Sequence, residues 1–386
     1  MKRKKVLWLC SWYPGKTEPF NGDFIQRHAQ AAALYNDIHV IHVTADSSGV
    51  IKETIAEIKK EEGLVEHIVY YKKSMTAWGR FIGHYKLLFL YKDAIRKYIG
   101  ENGKPDLVHV HVPVKAGLLG LWMKKKYNIP YLVTEHWGIY NNVADLNYSG
   151  RTNWFKQYTK KIFGHAARFI SVSRFLAEGV NRLVIKKDYE VIPNVVNTDL
   201  FFYKERPAQA LFRFIHVSNM VPLKNAEGIV RAFKLLQEKN NNAELVMVGD
   251  TNDFIRQYAA EEGLPAGKVL FKGETPYKEV AGEMQQANCF ILFSNIENSP
   301  CVIGEALCCG LPVIATNVGG VPELVNESNS ILIEAKDENA LVNAMQQVMN
   351  DYMKYDRKEI AENARTTFSY SVIGKKFDGI YSGLSF

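Results

Sequence analysis

No stretch of this 386-residue chain approaches the roughly 18 uninterrupted apolar residues that a membrane-spanning helix needs. The chain opens Met1-Lys2-Arg3-Lys4-Lys5 and then enters "VLWLC". That run is too short for a signal h-region and lacks a small-residue cleavage site, so it reads as a buried first strand. Cysteine is scarce and scattered. Cys10, Cys289, Cys301, Cys308 and Cys309 include no CxxC pair, which argues against a zinc site and for reduced, buried thiols in the cytosol. No G-x-G-x-x-G follows the first strand, where the loop is long, so a dinucleotide-dependent oxidoreductase is excluded. Low-complexity segments and short repeats are missing too. Apolar residues are plentiful: 47% hydrophobic and 12% aromatic suffice for a large core. The length exceeds one ordinary core and fits two domains. A net charge of +7 is compatible with acidic ligands or anionic lipid and demonstrates neither.

Short apolar, β-rich runs alternate with longer segments of helical period. Candidate strands lie at 5–10, 38–45, 65–71, 106–112, 131–136, 168–173 and 189–194, then at 212–218, 244–250, 268–273, 289–294, 311–316 and 330–334. Several are apolar on both faces, as in parallel sheets covered by helices. The alternation predicts a doubly wound α/β fold, and the series is too long for one sheet. It divides into an N-terminal domain, 1–200, and a C-terminal domain, 205–368. The polar, proline-broken stretch 194–210 is the best linker. "YSVIGKKFDGIYSGL" (370–384) is amphipathic. It is expected to form a helix over 370–386 that packs back on the N-terminal domain, with packing on its own domain as the other reading. Two such domains side by side would create a cleft, with ligands at the carboxyl ends of the strands.

The segment "ENSPCVIGEALCCG" (297–310) puts a carboxylate before a Ser-Pro step and a second one inside an apolar helix. Ser299 reads as the N-cap and Pro300 as the first helical residue. The amides of Cys301, Val302 and Ile303 would then point out of the helix start and suit a phosphate. A buried Glu305 needs partners, which the two adjacent hydroxyls of a ribose would supply. Glu297, on the other side of the phosphate position, could accept from a second sugar. The order ribose, phosphates, sugar predicts a nucleotide-sugar. A solvent-facing Glu305 and an ordinary loop Glu297 remain the alternative.

"ENSPCVIGE" followed by "GLPVIATNVGGVPELV" resembles the E-x7-E segment of family 4 glycosyltransferases of the GT-B fold. "YPGKTEPFNGDFIQRHA" (13–29), "PDLVHVHVP" (105–113), "TEHW" (134–137), "SVS" (171–173), "VIPNVVNTDLF" (191–201), "VSNMVPLKN" (217–225), "VGD" (248–250) and "FSYSVIGKKFDGIY" fall in the family's order, so the resemblance covers essentially the whole chain. It implies two Rossmann-like doubly wound domains facing across a cleft: the N-terminal one for the acceptor, the C-terminal one for the nucleotide-sugar. It also implies sugar transfer to an acceptor hydroxyl with retention, no cofactor, and a UDP- or GDP-sugar donor as substrate. No metal is implied, and the sequence has no D-x-D after a strand to hold Mg²⁺. On the resemblance Lys224 binds the donor diphosphate, while Asn219 stands where the family usually has an arginine and carries no charge. His136, at a strand end, lies near the donor sugar, and Glu135 beside it points to the opposite face. Gly22 lets the backbone approach a ligand before a helix that starts near Asp23. The expected catalytic residues are thus Glu297, His136 and Lys224. Glu305, Pro300, Cys301, Val302, Asn219 and Gly22 are expected to bind the donor. His109 and His111 share one side of a strand without a completing carboxylate or cysteine and read as packed core residues; Gly319 reads as part of an ordinary turn.

The segment 70–99 interleaves aromatics with Lys72, Lys73, Arg80, Lys86, Lys92, Arg96 and Lys97. It is either an amphipathic helix with solvated lysines or a peripheral contact with anionic lipid at the inner face of the membrane. Nucleic acid is not expected, since no recognised module accompanies the charge. A bacterial surface polysaccharide or glycolipid is the family-level guess for the product. Rival functions are a non-catalytic saccharide-binding protein, a nucleotide-sugar epimerase of the same shape, and a phosphorylase, for which no pyridoxal lysine is evident.

Overall fold

The computed structural model describes residues 3–74, 77–141, 147–205, 211–239, 242–250, 253–265 and 267–384, without the side chains of 77–82. The chain forms two compact α/β units, residues 1–195 with 370–386 and residues 196–369.

The first unit runs β1 (Lys5–Cys10), α1 (Asp23–Ala33), β2 (Asp37–Asp46), β3 (Ile55–Glu61), β4 (Leu64–Lys72), α2 (Ala77–Asn102), β5 (Leu107–His111), α3 (Pro113–Tyr127), β6 (Tyr131–Glu135), α4 (Asn153–His165), β7 (Arg168–Ser171), α5 (Arg174–Leu183) and β8 (Glu190–Val191). The strands form one sheet in the order β3-β4-β2-β1-β5-β6-β7-β8. Only β3 is antiparallel to its neighbour. Successive side chains of β1 feed opposite layers, as the period of two requires. Leu7 and Leu9 join Val108, Val110 and the α2–α5 side, whereas Val6, Trp8 and Cys10 join Ile25 and Ala29 of α1.

In the second unit the order is β9 (Phe212–Val217), α6 (Ala226–Lys239), β10 (Ala243–Val248), α7 (Phe254–Glu261), β11 (Val269–Gly273), α8 (Tyr277–Gln286), β12 (Cys289–Leu292), α9 (Cys301–Cys308), β13 (Val313–Thr316), β14 (Ser330–Ile333), α10 (Glu338–Asp351) and α11 (Arg357–Phe368). Its sheet is β11-β10-β9-β12-β13-β14, with every pair parallel. The last helix, α12 (Tyr370–Ser382), returns to the first unit and packs along α1. Gly374 makes this possible, since a Cβ there would lie 2.2 Å from the Ala31 carbonyl oxygen. Residues 385–386 of the segment expected to be helical lie outside the described residues.

One strand was missing from the sequence reading and one expectation needs correction. β3 carries no apolar run, because six of its seven residues are exposed on a sheet edge; the hydrophobic signal had nothing to report there. The stretch 194–210 is not a free linker. Val195 is buried in the core of the first unit, while Val196 and Phe201 are buried in that of the second, so the first crossing between the units is a single peptide bond; the second falls between Ser369 and Tyr370. Residues 206–210 lie outside the described residues.

Candidate functional site

In a doubly wound sheet, connections diverge to opposite faces where the strand order reverses, leaving a crevice at the carboxyl ends. In the second unit that point lies between β9 and β12. The loop after β9 turns through Asn219, which is exposed, into a 3₁₀ turn at Pro222–Lys224. The loop after β12 carries Glu297 and leads into α9. The two loops are tied together where the Asn295 amide donates to the Leu223 carbonyl at 2.8 Å. Lys224 Nζ meets Glu297 Oε1 at 2.6 Å, with the carboxylate 9% exposed. Sequence positions 73 residues apart thus form one ion pair at the switch point.

Glu305 lies on α9, is 3% exposed, and accepts a 2.7 Å hydrogen bond from the Tyr277 hydroxyl at the start of α8. Both acids are therefore buried rather than solvent-facing, the opposite of the bland alternative. The helix start differs from expectation. Pro300 occupies the N-cap position in extended conformation, so Ser299 lies one residue further out and the first helical residue is Cys301. The Ile303 amide donates to the Pro300 carbonyl at 3.4 Å, so it is turned into the helix rather than outward as expected. At the far end of α9, burial pushes the Cys308 thiol up to about 12 and Cys309 higher, so both stay protonated.

In the first unit the order reverses between β1 and β5. Gly22, at φ 77°, caps α1, and a Cβ there would lie 2.8 Å from the Trp12 carbonyl carbon. The close approach it permits is therefore to the chain itself. His136 follows β6 and is 7% exposed. Its Nε2 lies 3.3 Å from His111 Nδ1, and its own Nδ1 is buried without a hydrogen-bond partner among the described residues. Burial holds His28 down to about 4, with Arg27 adding to it, and holds His109, His111 and His136 well below the ordinary imidazole value, with repulsion from neighbouring histidines adding to it. All four are neutral. His109 is a packed core residue, bonded to Tyr381 Oη at 2.7 Å and Thr134 Oγ1 at 2.6 Å. Among the described residues no group of three or more His, Cys, Asp or Glu is placed to hold a metal ion.

Three contributors escaped the sequence reading. Tyr277 has no local signal, being distant in sequence from Glu305. Gly319 was legible as a Gly-Gly turn but not as a contact: at φ 58°, its Cβ would fall 1.7 Å from the Glu297 carbonyl oxygen, which accepts from the Gly320 amide at 3.1 Å. Glu135 is fully buried. Its Oε1 accepts the amides of His136 and Trp137, both at 2.9 Å, and its Oε2 accepts the Tyr140 hydroxyl at 2.8 Å, so it braces the turn carrying His136. Burial raises its carboxyl to about 7 against those bonds. An acid in an apolar strand was the signal, as an acid in an apolar helix marked Glu305.

The fold is that of GT-B proteins. Sucrose-phosphate synthase from Thermosynechococcus elongatus superposes with a TM-score of 0.75 at 20% identity, covering 98% of each chain. HepE of Anabaena, solved in complex with UDP, superposes at 0.74 and 17% identity over 98% of this chain and 100% of its own. The family described as "Glycosyltransferase Family 4" matches residues 28–200, and "Glycosyl transferases group 1" matches 199–367. TuaC of Bacillus subtilis (strain 168), provisionally named a teichuronic acid biosynthesis glycosyltransferase, is 25% identical over 393 residues, covering 97% of this chain and 95% of its own. The chain belongs to glycosyltransferase family 4 and is a glycosyltransferase.

Proposed function

We propose that this glycosyltransferase moves a hexosyl group from a nucleoside-diphosphate sugar to an acceptor hydroxyl, with retention at the anomeric carbon. The observation that carries the reading is the Lys224–Glu297 pair at the switch point of the second unit, beside the start of α9 and the buried Glu305. In this account Glu305, oriented by Tyr277, accepts the ribose hydroxyls. The amides of Cys301 and Val302 and the Lys224 ammonium stabilise charge growing on the departing diphosphate. Asn219, in place of a cation, adds a neutral donor, so Lys224 carries the charge on that side. Glu297 accepts from the donor sugar, and Nδ1 of His136 is the atom that residue offers a sugar hydroxyl. Attack on the same face as the leaving phosphate gives retention without a side-chain nucleophile; trapping a sugar–carboxylate adduct would overturn that step. The likeness to a teichuronic acid enzyme and to a UDP-bound neighbour favours a UDP-sugar and a surface polysaccharide product. Acceptor binding then falls to the first unit and donor binding to the second.

The test is turnover: nucleoside diphosphate released from a UDP- or GDP-sugar only when acceptor is present. Release without acceptor, or binding with no release, would favour hydrolysis, epimerisation or a binding role. Thermal stabilisation by a panel of nucleoside diphosphates and their sugars identifies the base and sugar.

A peripheral membrane contact is the second reading. On α2, Leu87, Tyr91, Ala94, Ile95 and Tyr98 are buried, but Tyr85 and Phe89, one turn apart, are 60% and 62% exposed beside Lys86 and near Lys92. An exposed apolar pair with lysines close by in sequence suits anionic lipid. The side chains of Trp78, Arg80 and Phe81 lie outside the described residues. No described helix is long and apolar enough to cross a membrane.

A further inference from the structure

A pocket of about 270 Å³, open to solvent, lies on the first unit between the loop after β1 and the β3–β4 hairpin. None of the expected donor residues lines it. At its wall is Glu66, only 5% exposed. Its Oε1 is satisfied by the Tyr13 hydroxyl at 2.6 Å and Gln26 Nε2 at 2.7 Å. Its Oε2 has Lys59 Nζ no nearer than 3.9 Å, and that ammonium bonds Glu61 at 2.6 Å instead. A carboxylate oxygen so placed, on a side chain that is otherwise buried and bonded, can accept from a hydroxyl that enters the pocket. Across the cavity Glu57 pairs with Lys16 Nζ at 3.1 Å and accepts from the Tyr70 hydroxyl at 3.3 Å.

The lining balances two carboxylates, Glu57 and Glu66, against two ammonium groups, Lys16 and Lys59. That balance favours neither an anion nor a cation, and it rules against the phosphate that the second unit is proposed to hold. It suits a neutral molecule that both donates and accepts. Pro14, Pro19 and Ile68 add C–H surface against which a ring face can lie. A neutral polyhydroxylated ring with one apolar face is a sugar. The volume falls just below the roughly 300 Å³ at which pockets for drug-sized ligands begin, which fits one ring. β4 stands two strands from β1, roughly 10 Å from the switch point of this sheet at about 4.8 Å per strand.

We propose that this cavity is an ancillary saccharide subsite, holding a neutral sugar ring of the acceptor that neighbours the ring being extended. The acceptor assignment rests on the transferase reading above; the sugar assignment rests on the cavity alone. In it Glu66 Oε2 and Glu57 accept ring hydroxyls, while Lys16 donates to a ring oxygen.

Saturation-transfer NMR on the full chain with methyl α-glucoside, methyl α-galactoside and methyl N-acetyl-α-glucosaminide is the experiment, with UDP binding measured by calorimetry on the same samples. At least one glycoside is expected to receive saturation, with binding about tenfold weaker in Glu66→Gln and UDP affinity unchanged. Glu57→Gln, on an exposed edge strand, repeats the test should Glu66→Gln fail to fold. No saturation from any of the three glycosides, or saturation that both variants leave intact, overturns the subsite. A protein that binds the glycosides through Glu57 but binds no nucleotide loses the donor site and keeps this one.

Discussion

Glu305 accepts from Tyr277 and is 3% exposed, so its charge depends on the groups packed around it and a change at Tyr277 is felt. Glu305→Gln is expected to weaken nucleotide binding by about 1–3 kcal/mol, read by calorimetry with UDP and GDP; unchanged affinity rejects the ribose role. Tyr277→Phe leaves the carboxylate but removes its donor and is expected to cost about 0.5–1.5 kcal/mol in the same titration. Glu297→Gln is expected to lower kcat more than nucleotide affinity, and equal losses would count against a sugar contact. Gly319→Ala forces a Cβ into the Glu297 carbonyl, where the turn has φ 58°. A lowered Tm together with lost turnover is expected, and an active, stable variant would show that Glu297 need not be held from behind. At this scale the chain was partly legible. A carboxylate in an apolar helix announced itself at 305, because burying charge demands a reason, whereas Glu297 stood out by its place before the Ser-Pro step and in the E-x7-E spacing. Tyr277 did not, because a hydroxyl at the start of a helix is unremarkable until the fold brings it to a partner. The burial of His136 against His111 also depends on packing between strands that the sequence separates by 25 residues.

Elements were read well where hydrophobic pattern carried them and poorly where it did not. The central strands advertise both buried faces, whereas β3 lies on an edge and β8 is only two residues long with both exposed. The start of α9 shifted by one residue because Ser-Pro can place either residue at the cap; the geometry of the following amides decides it. α2 supplies a prediction of its own. Tyr85→Ser with Phe89→Ser is expected to abolish sedimentation with vesicles containing phosphatidylglycerol while leaving UDP affinity unchanged. Equal sedimentation of wild type and variant would return the helix to the solvated reading.

The whole molecule carries a pH signature. His28, His42 and His216 are lowered to about 4, chiefly by burial, and burial also holds His109, His111 and His136 well below the ordinary imidazole value. Below pH 6.5 the unfolded chain takes up protons that these folded imidazoles refuse. Their contribution is therefore full above about pH 6.5 and falls as pH drops toward 4, by about 1.4 kcal/mol per pH unit for each. Glu135, raised to about 7, acts oppositely: its contribution is full below its ordinary carboxylate value and is lost as pH rises through 7. Six groups outweigh one, so Tm is expected to fall steeply between pH 7 and pH 5; a flat profile would contradict the neutral histidine cluster. The two-unit architecture was legible because the strand series is too long for a single sheet. The exact crossing was not, because Val195 and Val196 are adjacent, equally apolar residues that serve different cores.

The return of α12 to the first unit has an effect on biosynthesis. Phe377 packs beside Trp8, and the Tyr381 hydroxyl bonds His109, so residues of α12 close the layer that β1 begins. A ribosome emits β1 well over three hundred residues before α12. The first unit must wait, with that layer uncovered, until the whole second unit has been made, and a message cut short after residue 369 would harm the first unit while sparing the second.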